Sequence, residues 1–183
     1  MSDLFAEHAV VLVTGISASG KSSVAEALAQ RFARGAHVRG DTFRRMIVAG
    51  REEMTVDPSD EARRQLHLRH LIAARVVDAY FDAGFSVVLQ DVIIGPALAD
   101  CLGAIVARPL YVVVLCPTVE AIEAREADRD KTAYREGFHS IEALDTFLRT
   151  ETPRIGLWLD SSDLTVDETV GAIAARAAEA TTC

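Results

Sequence analysis

The sequence predicts an α/β fold, a doubly wound parallel sheet with helices on both faces. Three observations predict it. Phe85–Leu89 and Tyr111–Leu115 are near-continuous apolar runs, as strands covered on both faces require. Segments of helical period separate such runs, so strand and helix alternate along the chain. A glycine-rich octapeptide joins the first strand to the first helix.

Ala9–Thr14 is β-branched and apolar, stopped by Gly15, and reads as the first strand. Lys21–Phe32 carries Val24, Leu28 and Phe32 at helical spacing. His37–Arg39 is a shorter second strand, ended by Gly40-Asp41. Ser59–Ala83 is a long amphipathic helix with Leu68, Leu71, Ile72, Val76, Ala79 and Tyr80 as its apolar face, closed by Gly84. Pro96–Ala107, Thr118–Arg129 and Ile141–Thr150 supply the helices that flank the third and fourth strands. Ile155–Leu159 is the last strand, and Thr165 with Glu168 forms a capping box that opens the final helix. Asp128–Ser140 is charged, contains Gly137 and has no period, so it is expected to be a mobile loop.

Half of the 183 residues are apolar and a quarter are charged, which fits one globular domain spanning 1–183, without repeat or linker. A chain of this length buries roughly 70% of its unfolded surface without help from metal or disulfide. Nineteen basic against 27 acidic side chains give a net charge of −8, which opposes binding to nucleic acid. No apolar run approaches the ~20 residues that span a bilayer, and the N-terminus has no basic, apolar leader. Cys101, Cys116 and Cys183 have neither pairing nor metal-ligand spacing. A cytoplasmic protein, with no membrane partner, is the expectation. Monomer and homo-oligomer both stay open.

Gly15-Ile16-Ser17-Ala18-Ser19-Gly20-Lys21-Ser22 matches the phosphate-binding loop pattern, with strand and helix in the required places. Glycines allow backbone N–H groups to wrap phosphate oxygens, and the helix N-terminus adds positive potential. Gly15 to Ser22, with Ser23, are therefore the candidate nucleotide contacts. Lys21 is expected to bridge the β- and γ-phosphates, and Ser22 to ligate Mg²⁺. Lys131 is the only other lysine, which makes a lysine at position 21 less like surface filler.

Arg39-Gly40-Asp41-Thr42-Phe43-Arg44 follows the second strand about 20 residues beyond the loop. Strand carboxyl ends face the ligand crevice in such sheets. Asp41 is thereby a candidate to take a substrate proton or orient Mg²⁺, and Arg44 to hold the acceptor; the bland alternative makes Asp41 a helix cap. Asp91 ends the third strand, where such sheets offer a carboxylate to the metal or substrate. Arg125 and Arg129, with Lys131 and Arg135, lie where a closing lid reaches the triphosphate; otherwise they pair with neighbouring acids on a solvated face. His67 and His70, at i and i+3, lack a third ligand on their face, so a solvent-facing or pocket role is expected rather than a metal site. Trp158 reads as core.

Together these segments resemble the chloramphenicol phosphotransferase-like small P-loop kinases over most of the chain. Gly15–Ser22, Gly40-Asp41, Val87–Val92, Cys116–Glu126 and Leu159–Ser162 carry the likeness. Arg39–Arg44 also looks like the Asp-Gly-Asp-Asn-x-x-Arg motif of adenylylsulfate kinases, with Arg39 for its first Asp and Thr42 for its Asn. Zeta-toxin-like kinases are related in the same way. The resemblance implies a P-loop NTPase fold with a five-stranded parallel sheet and a lid over about 125–140 that includes Arg125 and Arg129. It implies ATP as donor, a small hydroxylated acceptor such as an antibiotic or metabolite, and Asp41 as general base. A nucleotide-dependent regulatory ATPase is the competing class, and a nucleotide-type acceptor such as adenylylsulfate or a nucleotide sugar is the variant within the kinase class. Asparagine is absent from the chain, which excludes the Asn-Lys-x-Asp mode of guanine recognition.

Overall fold

The computed structural model describes residues 8–127, 134 and 137–182. Five strands, β1 (Val10–Thr14), β2 (Gly35–Arg39), β3 (Ser86–Gln90), β4 (Leu110–Leu115) and β5 (Leu157–Leu159), form one sheet in the order β2-β3-β1-β4-β5. Every pairing is parallel. β1 lies at the centre, with Val10 opposite Val87 on one side and Leu110 on the other.

The eight described helices are α1 (Lys21–Ala29), α2 (Gly40–Arg45), α3 (Asp60–Asp82), α4 (Ala97–Ala104), α5 (Val119–Ala127), α6 (Ile141–Glu151), α7 (Val166–Ala175) and α8 (Ala177–Ala180). Strand side chains alternate between two cores. Val10, Leu12, Val87, Leu89, Val112 and Val114 pack with α3, α4 and α6, while Val11, Val13, Val88, Val113 and Leu115 pack with α1 and α7. Fully burying each such side chain contributes about 1.5–3 kcal/mol, which explains why the strands read as unbroken apolar runs. The capping box of Thr165 and Glu168 opens α7 as the sequence predicts.

Several boundaries differ from the sequence reading. β2 begins at Gly35, because Gly35 and Ala36 pair with Ser86 and Val87 although neither looks strand-forming. The helix expected over Pro96–Ala107 ends at Ala104, and Ile105 turns to extended backbone. The buried stripe of α3 is a correction of more consequence. Ala62, His70, Ala73, Ala74 and Val77 are buried, and Ala73, Ala74 and Val77 pack into the core under the sheet, whereas Leu68, Leu71, Ile72 and Tyr80 are exposed. Small side chains let the helix axis approach the sheet closely, and the larger apolar ones are left on the other side.

His70 is 4% exposed, its Nε2 has no hydrogen-bond partner among the described residues, and it lines a cleft of about 140 Å³ between α3 and α4. It is thus the pocket role, not the solvent-facing one, that this histidine takes. Burial, with help from the charges of Arg69 and His67, lowers its pKa from 6.5 to about 4. The unfolded chain therefore binds this proton first, and the stability present above pH 6.5 is lost as pH falls toward 4. Denaturation at pH 7 and 4.5 should differ by about 2 kcal/mol through this group, and His70→Leu should remove most of the difference. An unchanged pH dependence in the variant would refute the assignment.

Cys101 and Cys116 are buried and unpaired by disulfide, and burial pushes the Cys101 thiol up to about 12, so it is inert at neutral pH. Among the described residues no helix is long and apolar enough to cross a membrane. The same residues contain no cluster of three His, Cys, Asp or Glu placed to hold a metal ion.

Candidate active site

Because all five strands are parallel, the segments that leave their carboxyl ends gather along one sheet edge. These are Gly15–Gly20, Gly40-Asp41, Asp91, Cys116-Pro117 and Asp160–Ser162. Thr14 ties two of them together. Its hydroxyl donates to the Ile93 carbonyl at 2.7 Å and accepts the Ile93 N–H at 3.0 Å.

The loop from Gly15 turns through left-handed backbone at Ala18 (φ 61°) and Gly20 (φ 92°), a curl in which successive amides converge on an anion. Gly15 has φ 143°, and a Cβ there would collide with the Leu115 carbonyl oxygen. Gly20 caps α1 without any side-chain hydrogen bond, so no side chain competes for the first-turn amides. Lys21 is 6% exposed and donates from Nζ to the Ile16 carbonyl at 2.6 Å, with Ser19 Oγ at 3.5 Å. Ser22 and Ser23 lie exposed on the first turn of α1, and Ser22 Oγ donates to Gln90 Oε1 at 3.3 Å.

Asp41 stands in the first turn of α2, one residue inside the helix, and Arg39 is the cap. Its Oδ1 accepts from Arg44 Nε at 3.1 Å, and its Oδ2 from Arg45 Nε at 2.7 Å and from Arg45 Nη2. Arg44 also donates to Glu53. Partial burial raises the Asp41 pKa, but the hydrogen bonds and charges of Arg45 and Arg44 outweigh it and hold the carboxyl below its ordinary value.

Asp91 is buried and belongs to Arg69. The Arg69 Nε donates to Asp91 Oδ2 at 2.5 Å, its Nη2 pairs with Oδ1, and that oxygen also accepts the Val92 N–H at 2.7 Å. A Cβ on Gly40 would fall inside the same carboxyl group, so the β2–α2 corner rests directly on this ion pair. Burial pushes the Arg69 guanidinium down to about 10, opposed by the Asp41 and Glu53 carboxylates and assisted by Arg44. It remains charged at neutral pH.

Arg125 leaves α5 for three backbone carbonyls instead of the acids beside it. Its Nη1 lies 3.4 Å from Ser19 O, and its Nη2 donates to Ser161 O at 2.5 Å and Ser162 O at 3.2 Å. Tyr134 donates its hydroxyl to Ser17 O at 2.8 Å. Arg129, Lys131 and Arg135 lie outside the described residues, as does most of the expected lid. Trp158 is half-buried, packs on the core and carries Arg154 3.9 Å above its ring.

The structure thus brings the phosphate loop, Lys21, Ser22, Asp41, Arg44, Asp91 and Arg125 to one edge. The sequence reading missed Arg69, Glu53 and Tyr134. Arg69 did carry a signal: it falls seven residues after Ala62 and four before Ala73, a charge on the buried stripe of α3. Chemically, the edge offers an anion cradle, an ammonium group and, at the same end of the sheet, an ionised carboxylate.

Solved structures with this architecture include kinases. A sugar kinase from Janibacter sp. HTCC2649 is 19% identical and superposes with a TM-score of 0.67 over 93% of this chain and 95% of its own. A gluconokinase from Sinorhizobium meliloti 1021 gives 21% and 0.60 over 94% of each chain. The APS kinase CysC of Mycobacterium tuberculosis, bound to AMPPNP and APS, gives 18% and 0.61 over 92% and 96%. At these identities the likeness establishes the fold. No curated protein matches the sequence. The family model of chloramphenicol phosphotransferase-like proteins matches residues 8–178, nearly the whole chain. The protein therefore belongs to the chloramphenicol phosphotransferase-like family, with the five-stranded sheet of the P-loop kinases.

Proposed function

We propose that the protein moves the γ-phosphoryl group of ATP to a hydroxyl of a small molecule, an antibiotic or other metabolite, with Asp41 as general base. One observation carries this reading: an unbroken line of contacts runs from the phosphate loop to Asp41. Ser22 binds Gln90, Asp91 follows Gln90 and presses on Gly40, and Asp41 follows Gly40. A triphosphate on the loop then has its outer end toward the β2–α2 corner.

Lys21 exchanges the Ile16 carbonyl for the β- and γ-phosphate oxygens. Ser22 would hold Mg²⁺, since its hydroxyl and the amide oxygen of Gln90 are hard oxygen donors beside the cradle. When bound, the ion neutralises charge on the phosphate oxygens. Asp91 would act on the ion only from the second layer, since Arg69 and the Val92 amide occupy its oxygens. Arg125 adds positive charge beside Ser19, Arg129 is assigned the same task from the resemblance alone, and Arg44 orients the acceptor. Positioning and electrostatics account for most of the rate in such transfers.

The test is ADP release with and without candidate acceptors: chloramphenicol and other hydroxylated antibiotics, sugars, sugar acids, nucleosides and adenylylsulfate. Slow basal consumption that rises when one acceptor is added, with a phosphoryl group detected on it by mass, is the expected result. Steady ATP hydrolysis that no acceptor changes would favour the regulatory ATPase and overturn the kinase reading.

A further inference from the structure

Both oxygens of Asp41 are occupied in this structure, one by Arg44 and the other by Arg45. A hydroxyl cannot hand its proton to this carboxylate unless a guanidinium first gives way. Around the same point, four guanidinium groups (Arg44, Arg45, Arg51 and Arg69) face three carboxylates (Asp41, Glu53 and Asp91). Arg69 and Asp91 are committed to each other and buried, with side chains 13% and 2% exposed. Arg44 and Arg45 are the accessible pair, 35% and 62% exposed, on one turn of α2.

A neutral alcohol that displaces either arginine gives the guanidinium only a neutral acceptor in exchange for a charge-assisted one. An acceptor with its own oxyanion makes an exchange. Its two oxygens meet the planar fork of an arginine in the geometry that the Asp41 carboxylate now uses. The excess of positive charge also offsets the repulsion between an anionic acceptor and the triphosphate.

We infer that the acceptor carries an oxyanion (carboxylate, sulfate or phosphate) near its reacting hydroxyl, and that Arg44 and Arg45 bind this group and thereby release Asp41. This inference rests on the kinase reading and adds to it the class of acceptor. In the step itself the hydroxyl proton passes to Asp41 while the hydroxyl oxygen bonds to the γ-phosphorus. The bond from that phosphorus to the bridging oxygen breaks, and ADP leaves with its electron pair.

Matched compounds that share a carbon skeleton with and without the acid test it: D-gluconate and D-glucitol, D-glycerate and glycerol, glucose 6-phosphate and glucose, AMP and adenosine. Calorimetric titration into protein loaded with Mg²⁺ and AMPPNP keeps the phosphate loop filled. At least one acid should bind ten times or more tighter than its neutral partner. Arg44→Gln and Arg45→Gln should each reduce that preference about tenfold, the scale of one charge-assisted hydrogen bond, and Arg45→Lys should restore part of it. Neutral partners that bind as well in every pair, no binding by any acid, or a preference unmoved by both variants would each overturn the inference. ADP release reports separately on the parent reading: a neutral alcohol that drives it leaves the kinase standing and removes only the oxyanion, whereas acceptor-independent turnover removes the kinase.

Discussion

Replacing Asp41 with asparagine is expected to lower turnover by about 10²–10⁴-fold, the range for loss of a general base, while nucleotide affinity stays near that of the parent. Asparagine keeps the shape and can still accept from Arg44 or Arg45, but it cannot take a proton. The two ion pairs are half-exposed pairs within a single helix, worth well under about 1 kcal/mol each, so the variant should fold normally. Denaturation and nucleotide titration alongside the kinetics distinguish the roles. Equal losses in turnover and ATP binding would move Asp41 from base to nucleotide or metal ligand. The free carboxyl lies below its ordinary pKa, so it is ionised throughout the neutral and mildly acidic range. A fall in kcat/KM between pH 8 and 5 would have to come from another group.

Lys21→Ala should damage both binding and chemistry. The ammonium group contributes about 1.5–3 kcal/mol to triphosphate binding as a charged donor, or roughly 10–100-fold in affinity. Removing the charge that follows the transferred group adds a further loss of about 10²–10³ in kcat. The free protein should hardly notice, because the Ile16 carbonyl that Lys21 now serves also accepts the Ser19 N–H at 3.3 Å. Unchanged thermal unfolding with lost ATP binding is the signature to look for, and an active Lys21→Ala protein would contradict the assignment of the loop.

What could be read from the chain before its fold was the part governed by local rules. Gly15 and Gly20 announce their backbone turns, Thr165 and Glu168 their reciprocal cap, and Val87–Leu89 and Val112–Leu115 their burial, because each depends on neighbours in sequence. Asp41, Arg44, Asp91 and Arg125 could be picked out as candidates, but their partners could not. Asp91 meets Arg69 across 22 residues, and Arg125 meets Ser161 across 36. Those pairings depend on how α3 and α5 cross the sheet edge, which periodicity does not encode. The wrong face of α3 has the same origin. Hydrophobicity favours Leu68, Leu71 and Ile72, whereas the close approach of helix to sheet selects Ala73, Ala74 and Val77.

The contact of Gly40 with the Asp91–Arg69 pair bears on how this scaffold can be re-engineered. Positions 40, 69 and 91 form a keystone: any side chain at 40 displaces the carboxylate, and a residue without positive charge at 69 leaves a buried negative charge uncompensated. Libraries aimed at new acceptors should hold these three positions fixed and diversify the exposed Arg63, Arg64 and His67 of α3. There the chain can vary without shifting the corner on which residue 41 is mounted.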